Sequence, residues 1–386
     1  MTDSADRVRM EETIDERDLE QASLERLAES AKSALVTSGV LQRAEKSALY
    51  RARWQQARFQ AESVRELSDL RRAPLTAERD LAQACHPSRI KSYACSAVQM
   101  WFWVTGRGGS TWWMPCGKQD IMKMLELCRR MSRVVGIAEE DVALVLNQPA
   151  PTASDSLPYF LGYAHKLASG ARMEVIPLSP LLLTHRPAWA SFFLKRPPTV
   201  LVSTPADALQ LAEILKRNTG GQSQTGSSTT SQTADKATSA SQAGDAERRG
   251  PLERLRLALL FGSGVSQDSH RVAQEYGVET FRMQGATDCL LLNVECRMHE
   301  GVHIWLDTCI AEILPAAELE ERETSAGLGS QAAFLHEAKP GTRGELVVTT
   351  FGEALPLIRY RTGETVEVVS NERCKCGLSH PRVRFL

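Results

Sequence analysis

The stretch GTRGELVVTTFGEALPLIRYRTGE, residues 341–364, decides how the chain is read. GELVVTT is a short run of apolar and β-branched residues, and LIRYRTGETVEVV repeats that character after a turn at Gly352. Upstream, HIWLDTCIAEIL (303–314) is a third run of the same kind. Glycine turns between such runs predict antiparallel strands, so residues 286–386 are expected to form a β-rich subdomain.

Working outward, the pattern changes. Val142–Leu146, Met173–Pro177, Thr199–Val202 and Leu255–Phe261 are β-like runs. Helical stretches at Leu157–Ser169, Ala206–Lys216 and Ser266–Tyr276 fall between or after them. This alternation predicts an α/β core over 61–285, a mixed sheet flanked by helices. Within it, Trp101-Phe102-Trp103 and Trp112-Trp113 flank Thr105-Gly106-Arg107-Gly108-Gly109-Ser110-Thr111, which reads as two strands joined by a glycine turn. Residues 219–248 are Ser, Thr, Gln, Gly and Ala with no large hydrophobe. A stretch that cannot bury apolar area does not offset the cost of ordering its backbone, so a disordered insertion is expected there. Residues 1–60 carry Leu and Ala at helical spacing among charges, a helical lead-in broken at Gly39.

Composition limits the function. The chain has 386 residues, 42% of them hydrophobic and 24% charged, enough to bury a core. Lys plus Arg number 46 against 47 Asp plus Glu, a net charge of −1 that argues against nucleic acid or an anionic membrane as partner. No apolar run approaches the ~20 residues needed to cross a bilayer. The charged start, MTDSADRVRMEETIDERD, is unlike a signal peptide, so a cytoplasmic protein is expected. Nine cysteines spread from Cys85 to Cys376 do not read as a disulfide framework.

Three segments in order, FGSGVSQDSHRVAQEYGVETFRMQGATD (261–288), GVHIWLDTCIAEIL (301–314) and the 341–364 stretch followed by CKCGLSHPRV, resemble the phenylacetate-CoA ligase family of adenylate-forming enzymes. The resemblance covers roughly residues 45–386. It implies the large N-terminal core of such an enzyme. It also implies ATP-dependent activation of a small, aromatic carboxylic acid to an acyl-adenylate, with coenzyme A as the acceptor that makes a thioester. Such chemistry needs backbone N–H groups and cations around the triphosphate, a hard oxygen ligand for magnesium, and an acceptor for the ribose hydroxyls.

Carried onto this sequence, the resemblance places the phosphate loop at Gly106, Arg107, Gly108, Gly109 and Ser110, with Ser110 where the family usually has lysine. Taken alone, the same residues read as a tight hairpin turn. The adenine turn falls at Ser263 and Gly264. Gln284 and Gly285 follow, with Gln284 in place of the usual aromatic. Thr287 would contact the α-phosphate, and Asp288, where Glu is usual, would hold magnesium. Glu364 would take the ribose, where Asp is usual. Each acid keeps its charge and exchanges its length.

Cys374-x-Cys376-Gly and the pair Cys296 and His303 supply three soft thiolates and an imidazole, a closed Cys3His set suited to a structural zinc ion. His299 and His380 are rival ligands. Four unconnected residues is the plain alternative. His165 and the tryptophans read as packed residues.

Family members continue into a small lid domain that carries the adenylation lysine. No residue here takes that part, so a separate protein supplying the lid is expected. The second expectation is a non-catalytic homologue that binds a nucleotide, an acid or a partner protein.

Overall fold

The computed structural model describes residues 19–86, 94–106, 109–146, 161, 173–179, 196–220, 252–262, 265–285, 289, 291–315 and 332–386. Of the sequence expectations, the Leu157–Ser169 helix (apart from Leu161) and the 219–248 insertion from residue 221 onward lie outside them.

Strands β3 (Val142–Leu146), β5 (Val200–Ser203) and β6 (Leu257–Leu260) are buried at every position. Continuous hydrophobic runs of this kind form where both sheet faces are covered. With β4 (Glu174–Leu178) and β7 (Glu279–Gln284) they pair in parallel, in the order β4-β3-β5-β6-β7. Successive side chains divide between the two faces. Leu144, Leu201, Ala258 and Leu260 face one way and pack with Leu211 and Leu215 of helix α6 (Pro205–Gly220) and Val272 of α7 (Val265–Tyr276). Ala143, Val145, Val200, Val202, Leu257 and Leu259 face the other way, into the main core, with Leu127 and Met131 of α5 (Lys118–Val135).

The sheet continues past β7 with antiparallel pairing. β8 (Asn293–Glu295) adds to β7, and the order then runs β9 (Val302–His303), β14 (Arg382–Phe385), β13 (Tyr360–Ser370), β12 (Arg343–Thr350), β10 (Cys309–Pro315), β11 (Ala333–Phe334). Twelve strands thus share one hydrogen-bonded array. The last strand of the chain lies inside it, between β9 and β13, not at its edge.

The lead-in helices are α1 (Leu24–Thr37), α2 (Val40–Lys46) and α3 (Arg51–Gln56). Leu27, Ala31 and Leu35 fall on one stripe of α1 and are buried in the main core. Gly39 adopts φ +69°, the left-handed turn that lets α1 stop and α2 start. Two 3-10 turns, Ala61–Ser63 and Leu67–Arg72, precede α4 (Glu78–Ala84). Between them and α4, Thr76 bridges to Tyr360: its N–H donates to the Arg359 carbonyl at 2.9 Å, and its carbonyl accepts from Arg361 N–H at 2.8 Å.

Strands β1 (Met100–Thr105) and β2 (Thr111–Cys116) form a separate antiparallel hairpin with Trp103 opposite Trp113. Phe102, Val104, Trp112 and Met114 fill the main core, while the Trp103 and Trp113 rings meet edge-to-face on the other side at 5.1 Å. The hairpin leads directly into α5. Asp120 caps that helix by accepting the Gly117 N–H at 2.8 Å, and it also accepts the N–H groups of Glu353 (2.7 Å) and Ala354 (3.0 Å). Glu353 answers by accepting the Gln119 N–H at 2.8 Å. Two carboxylates therefore tie the start of α5 to the loop that joins β12 and β13. Among the described residues, no helix is long and apolar enough to cross a membrane.

Candidate active site and cysteine cluster

The RYRTGE segment lies in a break of the sheet ladder. Glu345 pairs with Thr365 and Val347 with Arg361, so Leu346 alone faces Thr362–Glu364. The extra residues bulge out of the ladder, and Gly363 takes φ +66° to allow it. Glu345 holds the bulge. Its carboxylate accepts the Gly363 N–H at 2.9 Å and the Arg361 guanidinium at 2.7 and 2.9 Å. The Thr362 hydroxyl donates to the Leu346 carbonyl at 2.7 Å and accepts the Glu364 N–H at 3.2 Å. Glu364 is thus set at the end of a turn whose backbone is fixed on both sides, with its side chain half-buried. Glu345 escaped the sequence reading because only strand pairing brings its carboxylate to the Gly363 N–H.

Gln284 ends β7 and Gly285 follows it, packed so closely that an added Cβ would meet the Leu291 carbonyl oxygen at 2.3 Å. Three strands, β8, β9 and β14, separate β7 from β13 in the sheet order. Strand pairing does not make Gln284 and Glu364 neighbours, and only the curl of the sheet can bring them toward a common cleft. Thr287, Asp288, Ser263, Gly264, Arg107 and Gly108 lie outside the described residues.

Gly106, Gly109 and Ser110 form the described part of the hairpin turn. Gly106 N–H donates to the Ser110 carbonyl at 2.8 Å, and Gly109 N–H to the Gly106 carbonyl at 3.1 Å. An acid from another element, which local pattern does not reveal, meets this turn: the Ser110 hydroxyl donates to Glu78 at 2.6 Å.

A small cavity opens beside Cys289, lined by Asp120, Lys123, Thr350, Gly352 and Leu355 among others. Lys123 donates to the Thr308 carbonyl at 2.6 Å and lies 5.5 Å from the centre of the Phe351 ring. Burial pulls its ammonium below the ordinary lysine value.

The structure brings Cys296, His303, Cys374 and Cys376 together, with all four candidate ligand atoms within 4.8 Å of one another. The Cys296 and Cys374 sulfurs are 3.7 Å apart, and Cys376 Sγ is 3.6 Å from His303 Nε2. His303 Nδ1 faces the His380 carbonyl at 3.0 Å, so it carries the proton and leaves the Nε2 lone pair aimed at the sulfurs. His380 is turned elsewhere: its Nδ1 accepts the Leu306 N–H at 3.1 Å, and burial pushes its imidazole down to about 4. His299 is taken by Glu279 at 3.0 Å. Among the described residues, neither rival joins the group of four candidate ligand atoms. Hydrogen bonding with Cys376, followed by burial, raises the Cys296 thiol to about 12, while the same contact lowers Cys376. Cys376 is the exposed corner of a cluster whose other three members are buried.

The architecture is a mixed sheet with helices on its faces, a fold shared with solved structures. Among solved structures, the chain is similar to 2-hydroxyisobutyryl-CoA ligase in an open conformation in complex with 2-HIB-AMP and CoA. The TM-score is 0.70 at 17% identity, over 95% of this chain and 70% of that one. It is similar also to the same ligase in the postadenylation state in complex with R3-HIB-AMP, with a TM-score of 0.71 at 18% identity over 95% and 68% of the two chains. No protein-family model matches the sequence, and no curated protein does.

Proposed function

We propose that this chain activates a small carboxylic acid with ATP, forming an acyl-adenylate and releasing pyrophosphate, with coenzyme A as acceptor. The observation that carries this reading is the bulge at Thr362–Glu364. An acid that the resemblance assigns to the ribose stands there at the end of a turn fixed by Glu345, within a fold shared with a ligase crystallised with 2-HIB-AMP and CoA. Glu364 would accept the ribose hydroxyls. Asp288 would hold magnesium, and Thr287 would contact the α-phosphate. Little covalent chemistry with the protein is needed, so positioning and charge stabilisation are the main contributions of these residues. An aromatic acid is the substrate class the sequence resemblance favours.

ATP–pyrophosphate exchange with a panel of aryl and small aliphatic acids tests the proposal. Exchange with at least one acid is expected. No exchange with any acid, together with no thermal shift from ATP and magnesium, would overturn it. A thermal shift without exchange identifies the second reading, a nucleotide-binding homologue without catalysis, which the carboxylate at Ser110 favours.

The cysteine cluster fits zinc. A tetrahedral ion with bonds of about 2.3 Å to sulfur and about 2.0 Å to nitrogen sets its ligand atoms roughly 3.5–3.8 Å apart. Two of the six separations are 3.7 and 3.6 Å, and all six lie within 4.8 Å. Zinc held by Cys296, His303, Cys374 and Cys376 would staple β8 and β9 to the segment before β14 and neutralise the crowded thiolates.

A further inference from the structure

Cys376 stands apart from the other cysteines of the chain. Of the nine it alone is exposed, while Cys95 is half-buried and the other seven are buried. It sits in a tight turn, in which Cys374 N–H donates to the Leu378 carbonyl at 2.8 Å and Gly377 N–H to the Cys374 carbonyl at 2.9 Å. Arg373 and Lys375, both exposed, put two cations on the same turn. Cysteines that are exposed among cations are the reactive ones, whereas buried structural cysteines are inert.

A second thiol is already in contact with it. The Cys296 and Cys376 thiols hydrogen-bond to each other, and both sulfurs belong to the group whose ligand atoms lie within 4.8 Å of one another. Cys296 directly follows β8, whereas Cys376 lies in the segment between β13 and β14, so no short stretch of backbone restrains the pair. Cys374 is a poorer partner for Cys376. It stands only two residues away, so a bond between them would close a small, strained ring. It is also buried, with its sulfur turned to Cys296 at 3.7 Å.

We propose that Cys376 is a peroxide-reactive thiol resolved by Cys296, so that oxidation closes the cluster to a Cys296–Cys376 disulfide and costs it its metal. The Cys376 thiolate attacks one oxygen of hydrogen peroxide. The O–O bond breaks, the sulfur is oxidised to a sulfenic acid, and the other oxygen leaves as hydroxide and takes up a proton to become water. The Cys296 thiolate then attacks the sulfenic sulfur. The S–O bond breaks, the hydroxide takes up a second proton to leave as water, and the S–S bond forms. Two thiolates, two protons and one peroxide thus give one disulfide and two waters. A zinc ion in the cluster would keep only Cys374 and His303 of its four ligands, too few for a closed tetrahedral site, and would be released. The inference rests on the zinc reading for the metal that is released, but not for the disulfide.

The test treats the full chain with hydrogen peroxide, caps the remaining thiols with N-ethylmaleimide and maps the peptides by mass spectrometry, while a coloured chelator follows zinc release. The expected product is a disulfide between Cys296 and Cys376, with loss of the bound zinc and recovery of both thiols in dithiothreitol. Cys376→Ser is expected to leave Cys296 as a free thiol at the same peroxide dose, and Cys95→Ser to form the disulfide as the parent does. The parent's own peptide map carries the test even where Cys376→Ser fails to fold. Cys376 left as a thiol, Cys376 carried on to sulfinic acid without a disulfide, or a disulfide confined to other cysteines overturns the proposal. So does a Cys296–Cys376 disulfide that forms with the zinc retained. If the disulfide forms in protein that carries no zinc from the start, the thiol pair stands and the zinc reading fails.

Discussion

Arg359 and Glu312 form a two-point ion pair, with Nε and Nη2 at 3.0 and 2.9 Å from the two carboxylate oxygens and neither side chain exposed. Arg359 takes φ +48°, unusual for a residue with a side chain, and its remaining Nη1 donates to the carbonyls of Arg71 (2.8 Å) and Ala73 (2.9 Å). One guanidinium thus joins β10, β13 and the segment before α4. Removing one partner leaves a buried charge uncompensated. Glu312→Ala is expected to lower stability in urea unfolding by about 3–5 kcal/mol. A loss below about 1 kcal/mol would show that the pair does not hold these elements together.

The cysteine cluster predicts metal content. Purified protein is expected to carry about one zinc per chain by elemental analysis, and Cys374→Ser with Cys376→Ser to carry none. The double variant should also unfold at lower temperature, because binding free energy in a structural site is folding free energy. Zinc-free protein with an unchanged unfolding temperature would remove the assignment.

Much of this architecture was legible before the fold was seen. VALVL (142–146) and the run around LALL (257–260) read as strands of an α/β sheet, and both are strands buried at every position. Gly39 marked a helix break because only a left-handed turn needs it. The cysteine set was legible as a candidate ligand group, and the fold brings its four ligand atoms within 4.8 Å of one another. What stayed hidden depends on register and long-range packing. Glu345 meets Gly363, Glu78 meets Ser110, and Asp120 meets Glu353 and Ala354 only once the strands are paired. The central position of RVRF (382–385) was equally invisible, because local pattern carries no information on strand order.

Glu364 and Asp288 give the proposed nucleotide site a direct test. Glu364→Ala removes the charged acceptor assigned to the ribose, and a hydrogen bond to a charged group contributes about 1.5–3 kcal/mol. ATP affinity, read by calorimetry, is expected to fall about ten- to a hundredfold. Asp288→Ala is expected to abolish the magnesium dependence of that binding and leave magnesium-free binding in place. Unchanged ATP affinity in Glu364→Ala would take the ribose assignment away from this residue.

Asp141 predicts how the fold responds to acid. It sits before β3 and accepts from Arg256, from the Ala138 N–H at 2.7 Å and from the Thr199 hydroxyl at 2.7 Å, joining the starts of β3, β5 and β6. Burial pulls its pKa upward, but Arg256 and the two other donors together pull harder, and the carboxyl lies below its ordinary value of 3.8. A folded pKa below the unfolded one means that the unfolded chain binds the proton first. The stabilisation is therefore complete well above pH 3.8 and is lost as the pH falls through that value toward the folded pKa. Asp141→Asn should lower stability at neutral pH and flatten this acid limb, so that the difference between variant and parent shrinks as the medium becomes more acidic. Urea unfolding at a series of pH values measures it, and a difference that stays constant into strong acid would show that the Asp141 charge does not anchor these strands.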